Sequence, residues 1–529
     1  MAATYALTLV ALIAILGLAF DYARMVNMDT ELQNAADQAA LAAASQLDGS
    51  SRSIERAIAA AQGGLVSNST LISNDGEGRT IDVTNSSQVV FYISRVDAEA
   101  GTNSFTDTSR FAEARFVEVT VDMREVDYAF TPIVGLLRAQ MSASAVAGIG
   151  SALCRIPPLM ICNPYEAGTP ATETAFNFDD AKGKGVLAKP GGGGQWAPGN
   201  YGYIDIGTNG AVGVREALGW DGPGGDCISV DSLDPKSPGE IDTQTGNIAS
   251  GPQAINTRFD VYSSQGCASN GVCSPALNSR KDLVRPVDLV PATGNSCNIG
   301  NNGWREPANA YHPTSTNTPY PGNVSSMGHP RDLCHAVQDG TTGHCKNQTL
   351  GNGSWDRDTY FKTHFKNADG TGWTNAQWTT ALASATLTTS PSIGQISRYD
   401  VYKWEEKASS TRLSDTQWLA SGTQMTTRNE PVCGQKYGFT PKTDPLDRRR
   451  MTLAVINCKF HNVSGSSSGV PVATWVDVFI VQPSYDRGPG NSFTRKDEIY
   501  AEIIGQTDIS RAGAPVGPTI RRDVPYLVR

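Results

Sequence analysis

The chain has 529 residues, a net charge of −9 and a pI near 5.3, with 39% hydrophobic and 18% charged residues. An acidic chain without a basic patch argues against a nucleic-acid partner. Its apolar content is enough for about two or three globular domains and far too low for a polytopic membrane protein.

The N-terminus is the most informative stretch. Residues 2–20 read AATYALTLVALIAILGLAF and carry no charge. As a helix they span about 28 Å, close to the ~30 Å hydrocarbon core of a bilayer. A cleaved signal peptide would want a basic start and an apolar core of about 7–15 residues. Here the first Lys or Arg is Arg24, and the apolar run is longer. The run therefore predicts a transmembrane anchor.

The helical pattern continues past the apolar run. Met25, Met28, Leu32, Ala35, Ala39 and Ala42 alternate spacings of three and four, the a/d seam of a packed helix. One helix from Ala2 to Asp48 is about 70 Å long. Gly49 suits the left-handed residue that closes it. Two destinations stay open for the seam, the protein's own globular part or another subunit, self-association included.

A short helical segment follows at 54–62. Strands are predicted at 80–83, 88–94 and 114–123. In the last of these, Val117, Val119 and Val121 alternate with polar residues. Residues 128–137 read as a turn and short apolar helix, and 140–148 as a small-residue strand. The fold class is α+β, a long N-terminal transmembrane/amphipathic helix packed on a small antiparallel sheet. A loop-rich, mostly β, disulfide-containing ectodomain follows. The organisation read is 1–49 anchor and helix, 50–150 small α+β module, 151–445 loop-rich ectodomain, 446–510 C-terminal β segment and 511–529 mobile tail. Strands are expected at 451–460, 470–481 and 498–505. In the middle one, Trp475, Asp477 and Phe479 face one way and Val476, Val478 and Ile480 the other.

All ten cysteines follow residue 153: Cys154, Cys162, Cys227, Cys267, Cys273, Cys297, Cys334, Cys345, Cys433 and Cys458. An even number confined to the predicted ectodomain suits disulfides in an oxidising compartment. Spacing suggests the local pairs Cys154–Cys162, Cys267–Cys273 and Cys334–Cys345, without fixing the connectivity. No CxxC pair occurs, so Cys334-His335 and His344-Cys345 read as a disulfide-closed loop with two exposed histidines rather than a metal site.

Catalytic signatures are absent from the sequence. The glycine run 191–194 lies near Lys182 and Lys184 but lacks the Gly-Lys-Ser/Thr ending of a phosphate loop, so it reads as a flexible loop. Asp205 begins DIGTN, which lacks both serines of a von Willebrand-type adhesion site. Arg448, Arg449 and Arg450 read as a solvated strand end. Asp356, Asp358 and His364 are the one set that invites a hydrolase reading. A solvated helix start is the simpler account of the aspartates. No enzyme activity, metal or cofactor is expected.

The stretch FDYARMVNMDTELQNAADQAALAAASQLDG, directly after the apolar run, resembles the TadE/TadG-like family of bacterial tight-adherence (Flp-type) pilus assembly. The residues that carry the resemblance are Asp21, Tyr22, Arg24, Leu32 to Asp37 and Ala39 to Ala42. The VEVTVD strand and SASAVAG look like the rest of that N-terminal module. WAPGNYGYID, AINTRFDVY and GNGSWDRDTYF look like stretches of long TadG-type proteins. The resemblance implies a single-pass inner-membrane protein with most of its chain in the periplasm. It would be non-enzymatic and assist pilus assembly or envelope anchoring. Its implied partners are other Tad/Flp membrane proteins or pilus subunits. A surface adhesin that binds a ligand through the loop-rich region is the alternative, and an extracytoplasmic hydrolase the second alternative.

Overall fold

The computed structural model describes residues 2–48, 50–63, 81–130, 138–168, 170–207, 210–222, 225, 227–230, 239–262, 267, 271–286, 297–407, 412–413, 417–420, 423–426, 429–444, 446–507 and 520–528. These fall into two compact units, residues 1–151 with 523–529, and residues 152–522.

In the first unit, helix α1 runs Ala2–Ala44 and α2 runs Ser53–Gln62. Gly49, read as the helix stop, lies outside the described residues. The sheet is antiparallel. Val89–Tyr92 pairs Phe116–Thr120, with Val89 opposite Val119. Phe116–Thr120 in turn pairs Ser144–Cys154, with Phe116 opposite Gly148. A Cβ on Gly148 would meet the Phe116 ring at 2.5 Å, so only glycine fits beneath it. Val117 and Val119 point inward while Glu118 and Thr120 are half-buried, the alternation expected of a sheet with one covered face.

Three readings change in this unit. Ile81 and Val83 are buried and join no strand among the described residues, so the segment read as a strand at 80–83 is extended core there, with Thr80 outside the described residues. The strand read at 140–148 is two strands, Arg138–Met141 in a hairpin with Arg124–Asp127, and Ser144–Cys154. The short helix read at 128–137 falls mostly on residues 131–137, outside the described residues. At the C-terminus, Ile520–Leu527 is a strand at the end of this sheet, where the sequence suggests a mobile tail. An edge position tolerates Pro525, which has no N–H to give. Residues 511–519 lie outside the described residues.

The second unit is built on one sheet in the order Met160–Cys162, Arg450–Ile456, Val470–Ile480, Glu240–Thr245, Asn200–Asp205. Ile499–Gln506 also pairs Val470–Ile480 and carries Gly185–Lys189 on its other side. The boundary read at residue 445 falls inside this unit, because 450–506 supplies the central strands that earlier segments join. Val470–Ile480 is the hub. Its alternation separates as read: Val476, Val478 and Ile480 enter the largest core, while Trp475 and Phe479 enter cores on the other side.

The arginines after Asp447 are not a solvated end. Arg448 and Arg449 are buried and cap backbone carbonyls. Arg448 donates to Gly219, Trp220 and Ser274. Arg449 donates to Ile480 and Val481. Long irregular segments carry carbonyls with no strand partner, and a buried guanidinium with five donors satisfies several at once.

Candidate functional site

On α1, large apolar side chains are exposed on nearly every side of the N-terminal half. Leu9, Leu12, Ile13, Ile15, Leu16, Leu18 and Phe20 all face outward, Leu16 with 67% of its surface exposed. At 100° per residue these seven positions leave one side of the helix without a large exposed apolar side chain among the described residues, the side of Gly17 and Asp21. A helix apolar on nearly all sides is one that is normally buried, in a protein core or in a membrane. Covering these seven side chains is worth on the order of 10 kcal/mol.

Among the described residues, no helix is long and apolar enough to cross a membrane. The side chains of residues 2, 3, 6, 7, 10 and 11 lie outside the described set. The anchor reading of residues 2–20 thus falls partly outside it as well.

The remaining side of the helix is clamped by its own unit. Asp21 is 2% exposed, and its carboxylate accepts the N–H groups of Ala129 at 2.8 Å and Phe130 at 2.9 Å. Gly17, one turn earlier, admits Phe130, since a Cβ there would lie 2.5 Å from the Phe130 Cβ. Phe20 meets the Phe130 ring edge-on at 5.7 Å. One turn later, the Tyr128 hydroxyl donates to the Met25 sulfur at 3.2 Å. In the sequence Asp21 stands out only as part of the family pattern. A carboxylate after an uncharged run is the signal that it has a local task.

The seam continues directly from the clamp. Met28, Leu32, Ala35 and Ala39 are fully buried, and Met25 and Ala42 half-buried. Met28, Leu32, Ala35 and Ala39 belong to one core with Ile54, Ala57 and Ala61 of α2 and with Val117, Val119 and Ala145 of the sheet, and Met25 packs against it. Of the two destinations left open for the seam, the chain itself occupies one. The alanines let α2 and the sheet approach the helix closely, so the seam is not a free face for a partner helix.

All ten cysteines are paired: Cys154–Cys227, Cys162–Cys458, Cys267–Cys273, Cys297–Cys433 and Cys334–Cys345. Two local pairs suggested by spacing form. The pair Cys154–Cys162 does not. Cys162 ends a strand parallel to Arg450–Ile456 and sits opposite Ile456, which brings it to Cys458. Cys334, His335 and Cys345 lie together, but both sulfurs are used in the disulfide. His335 is buried rather than exposed. Its Nε2 faces the Gln348 carbonyl and its Nδ1 the Tyr500 hydroxyl, each at 3.0 Å. The carbonyl requires N–H on Nε2, so the neutral ring accepts from Tyr500 through Nδ1.

The hydrolase candidates have separate structural tasks. Asp356 caps the helix Arg357–His364 by accepting the Thr359 N–H at 3.0 Å, and it also accepts the Tyr320 N–H at 2.7 Å. Asp358 accepts from the Trp378 indole at 2.8 Å. His364 is half-buried, its ring against the Met327 carbonyl, and loss of solvent around the ring pushes its pKa well below the usual range. Asp205 accepts the Gly207 N–H in a local turn, and Thr208 and Asn209 lie outside the described residues.

Residues 1–46 match the family model described as Putative Flp pilus-assembly TadE/G-like. No curated protein and no solved structure matches the chain.

Proposed function

We propose, from an N-terminal segment of TadE/G-like type, that this chain is a membrane-anchored, non-enzymatic component of Flp/Tad-type pilus assembly. The N-terminal half of α1 lies in the bacterial inner membrane. The disulfide-braced second unit stands in the periplasm as a scaffold toward pilus subunits or other Tad membrane proteins. The observation that carries this reading is the apolar, exposed surface around residues 9–20, which water does not stabilise and lipid does. Five disulfides suit the oxidising side of that membrane. Because the seam is covered by the chain itself, partner helices meet the lipid-facing half of α1. Self-association uses the same surface.

The test replaces Leu12 and Leu16, both exposed, with lysine. The expected result is release of the protein from membranes by alkaline carbonate, with loss of piliation and with the cysteines still protected from alkylation. A double variant that stays in the membrane fraction and supports piliation overturns the proposal.

A further inference from the structure

A cleft of about 380 Å³ opens in the second unit between residues 182–184, 352–357 and 389–397. Two of these segments turn at glycines in left-handed backbone, Gly183 at φ +77° and Gly353 at φ +74°. A Cβ on Gly353 would lie 3.6 Å from the Gly183 carbonyl oxygen, and one on Gly183 3.5 Å from the Thr389 carbonyl oxygen.

The charge of this cleft runs against that of the chain. Its charged lining is Lys182, Lys184 and Arg357, with no carboxylate among the described residues, in a protein of net charge −9. Lys184 has one partner, Asp180 at 2.8 Å. Lys182 is exposed and has no ion pair among the described residues. Arg357 lies deeper and donates only to carbonyls: Ile396 at 2.8 Å, Trp355 at 3.3 Å and Gly353 at 3.4 Å. The nearby buried carboxylates are taken. Asp332 and Glu502 both bind Arg398, at 2.6 and 2.5 Å. Burial, and then the charge of Arg398, bring the Arg357 pKa down to about 10, against the smaller opposing pull of Glu502, Asp332 and Asp358. A largely buried cation with no anion of its own gains from one supplied from outside. Asn352, Ser354 and Gln395 add hydrogen-bonding groups around the cleft.

We infer that this cleft is a binding site for a phosphoryl group, held by Lys182, Lys184 and Arg357. Inorganic phosphate brings close to two negative charges and three or more acceptor oxygens, and a phosphodiester headgroup brings one charge and two, so either gives the three cations charge-assisted hydrogen bonds. The group comes either from a free phosphate or from a phospholipid headgroup.

The test uses the full chain in phosphatidylcholine nanodiscs, so that the apolar helix is already covered. Inorganic phosphate is titrated by calorimetry. In a second arm, the nanodisc-held protein is floated with phosphatidylcholine vesicles that do or do not contain phosphatidylglycerol. Wild type, K182A, K182A/K184A and R357K are compared. Saturable phosphate binding that weakens about tenfold in K182A/K184A, the scale of one or two charge-assisted hydrogen bonds, supports the site with a free-phosphate source. Flotation that requires phosphatidylglycerol and is lost in K182A/K184A supports it with a headgroup source. Absence of both, or binding unchanged in K182A/K184A, overturns it. Lys182 is exposed, so K182A is the variant that reports on the site without disturbing the core. R357K keeps the charge but not the fork and is expected to bind more weakly than wild type.

Discussion

The Asp21 carboxylate accepts the Phe130 N–H at 2.9 Å, at the point on α1 where the exposed apolar half gives way to the buried seam. With the Ala129 N–H on its other oxygen, Asp21 satisfies two backbone donors that the fold otherwise leaves without a partner on α1. Asp21→Ala is expected to destabilise the first unit by about 2–5 kcal/mol, since it removes two hydrogen bonds to a charged group, each worth about 1.5–3 kcal/mol. Asp21→Asn keeps one acceptor oxygen and loses about half as much. Urea unfolding of nanodisc-held protein, read from protease resistance of residues 1–151, measures both. Equal stability of Asp21→Ala and wild type would show that the clamp is dispensable.

Gly17 and Phe130 form the second half of this clamp. Gly17→Val places atoms where the Phe130 Cβ now sits and is expected to drive residues 128–130 away from the helix. Chymotryptic cleavage after Phe130 should accelerate several-fold. Phe130→Ala in the same chain relieves much of the clash, so the double variant should regain stability relative to Gly17→Val. No recovery would place the damage in the helix itself.

Ala35 and Ala39 distinguish a core seam from a partner seam. Both are fully buried against the chain's own α2 and sheet. Ala35→Asp buries a charge without a partner, and the first unit is expected to become protease-sensitive in isolation, by 3 kcal/mol or more on the order-of-magnitude cost of such a charge. An intact first unit that has lost only its partners would mean that the seam opens to receive them.

The disulfides differ in what they hold. Cys162–Cys458 spans 296 residues of sequence, and Cys267–Cys273 spans 6. Loop-closure entropy makes the first worth about 3 kcal/mol more than the second, before allowing for the cross-links nested inside the longer loop. The pair of serine substitutions at Cys162 and Cys458 should therefore lower the thermal midpoint much more than the pair at Cys267 and Cys273. Matched losses would mean that local strain rather than chain entropy sets their contributions.

His329 and His335 set an acid limit. Burial lowers both from 6.5 to about 4. In the unfolded chain they titrate near 6.5, so between about pH 6.5 and 4 the unfolded state binds more protons than the folded one. Their contribution is therefore constant above pH 6.5. Below that, stability falls by on the order of 3 kcal/mol for each histidine by pH 4. His335→Gln should flatten that slope in an equilibrium unfolding series across this range. A wild-type curve without a slope there would mean that the rings are already protonated in the fold.

The sequence was most readable where a short period repeats. The three-and-four spacing from Met25 to Ala42 and the alternation in Val470–Ile480 follow directly from helix and strand geometry, and both appear in the structure. What covers the seam was not readable, because an alanine stripe fits its own sheet as well as another helix. Cys162 could not be matched to Cys458 from spacing, since a parallel strand pairing across 296 residues brings them together. Arg448 and Arg449 misled because charge normally marks solvent, whereas here the irregular segments supply carbonyls that need donors. The strand Ile520–Leu527 was hidden by Pro525, which an edge position permits. The cleft at Arg357 left a trace in Lys182 and Lys184, but the segment 352–357 that completes it, leading into the helix Arg357–His364, lies far along the chain.

Topology tests the central claim most directly. Cells carry the chain with a C-terminal tag, and protease is added to intact cells, to spheroplasts and to lysates. The tag should resist in intact cells and be lost in spheroplasts, while a cytoplasmic marker survives and the N-terminal helix stays in the membrane pellet. A tag that survives in spheroplasts and is lost only on lysis would put the cystine-bearing unit on the wrong side of the membrane and contradict the proposed function.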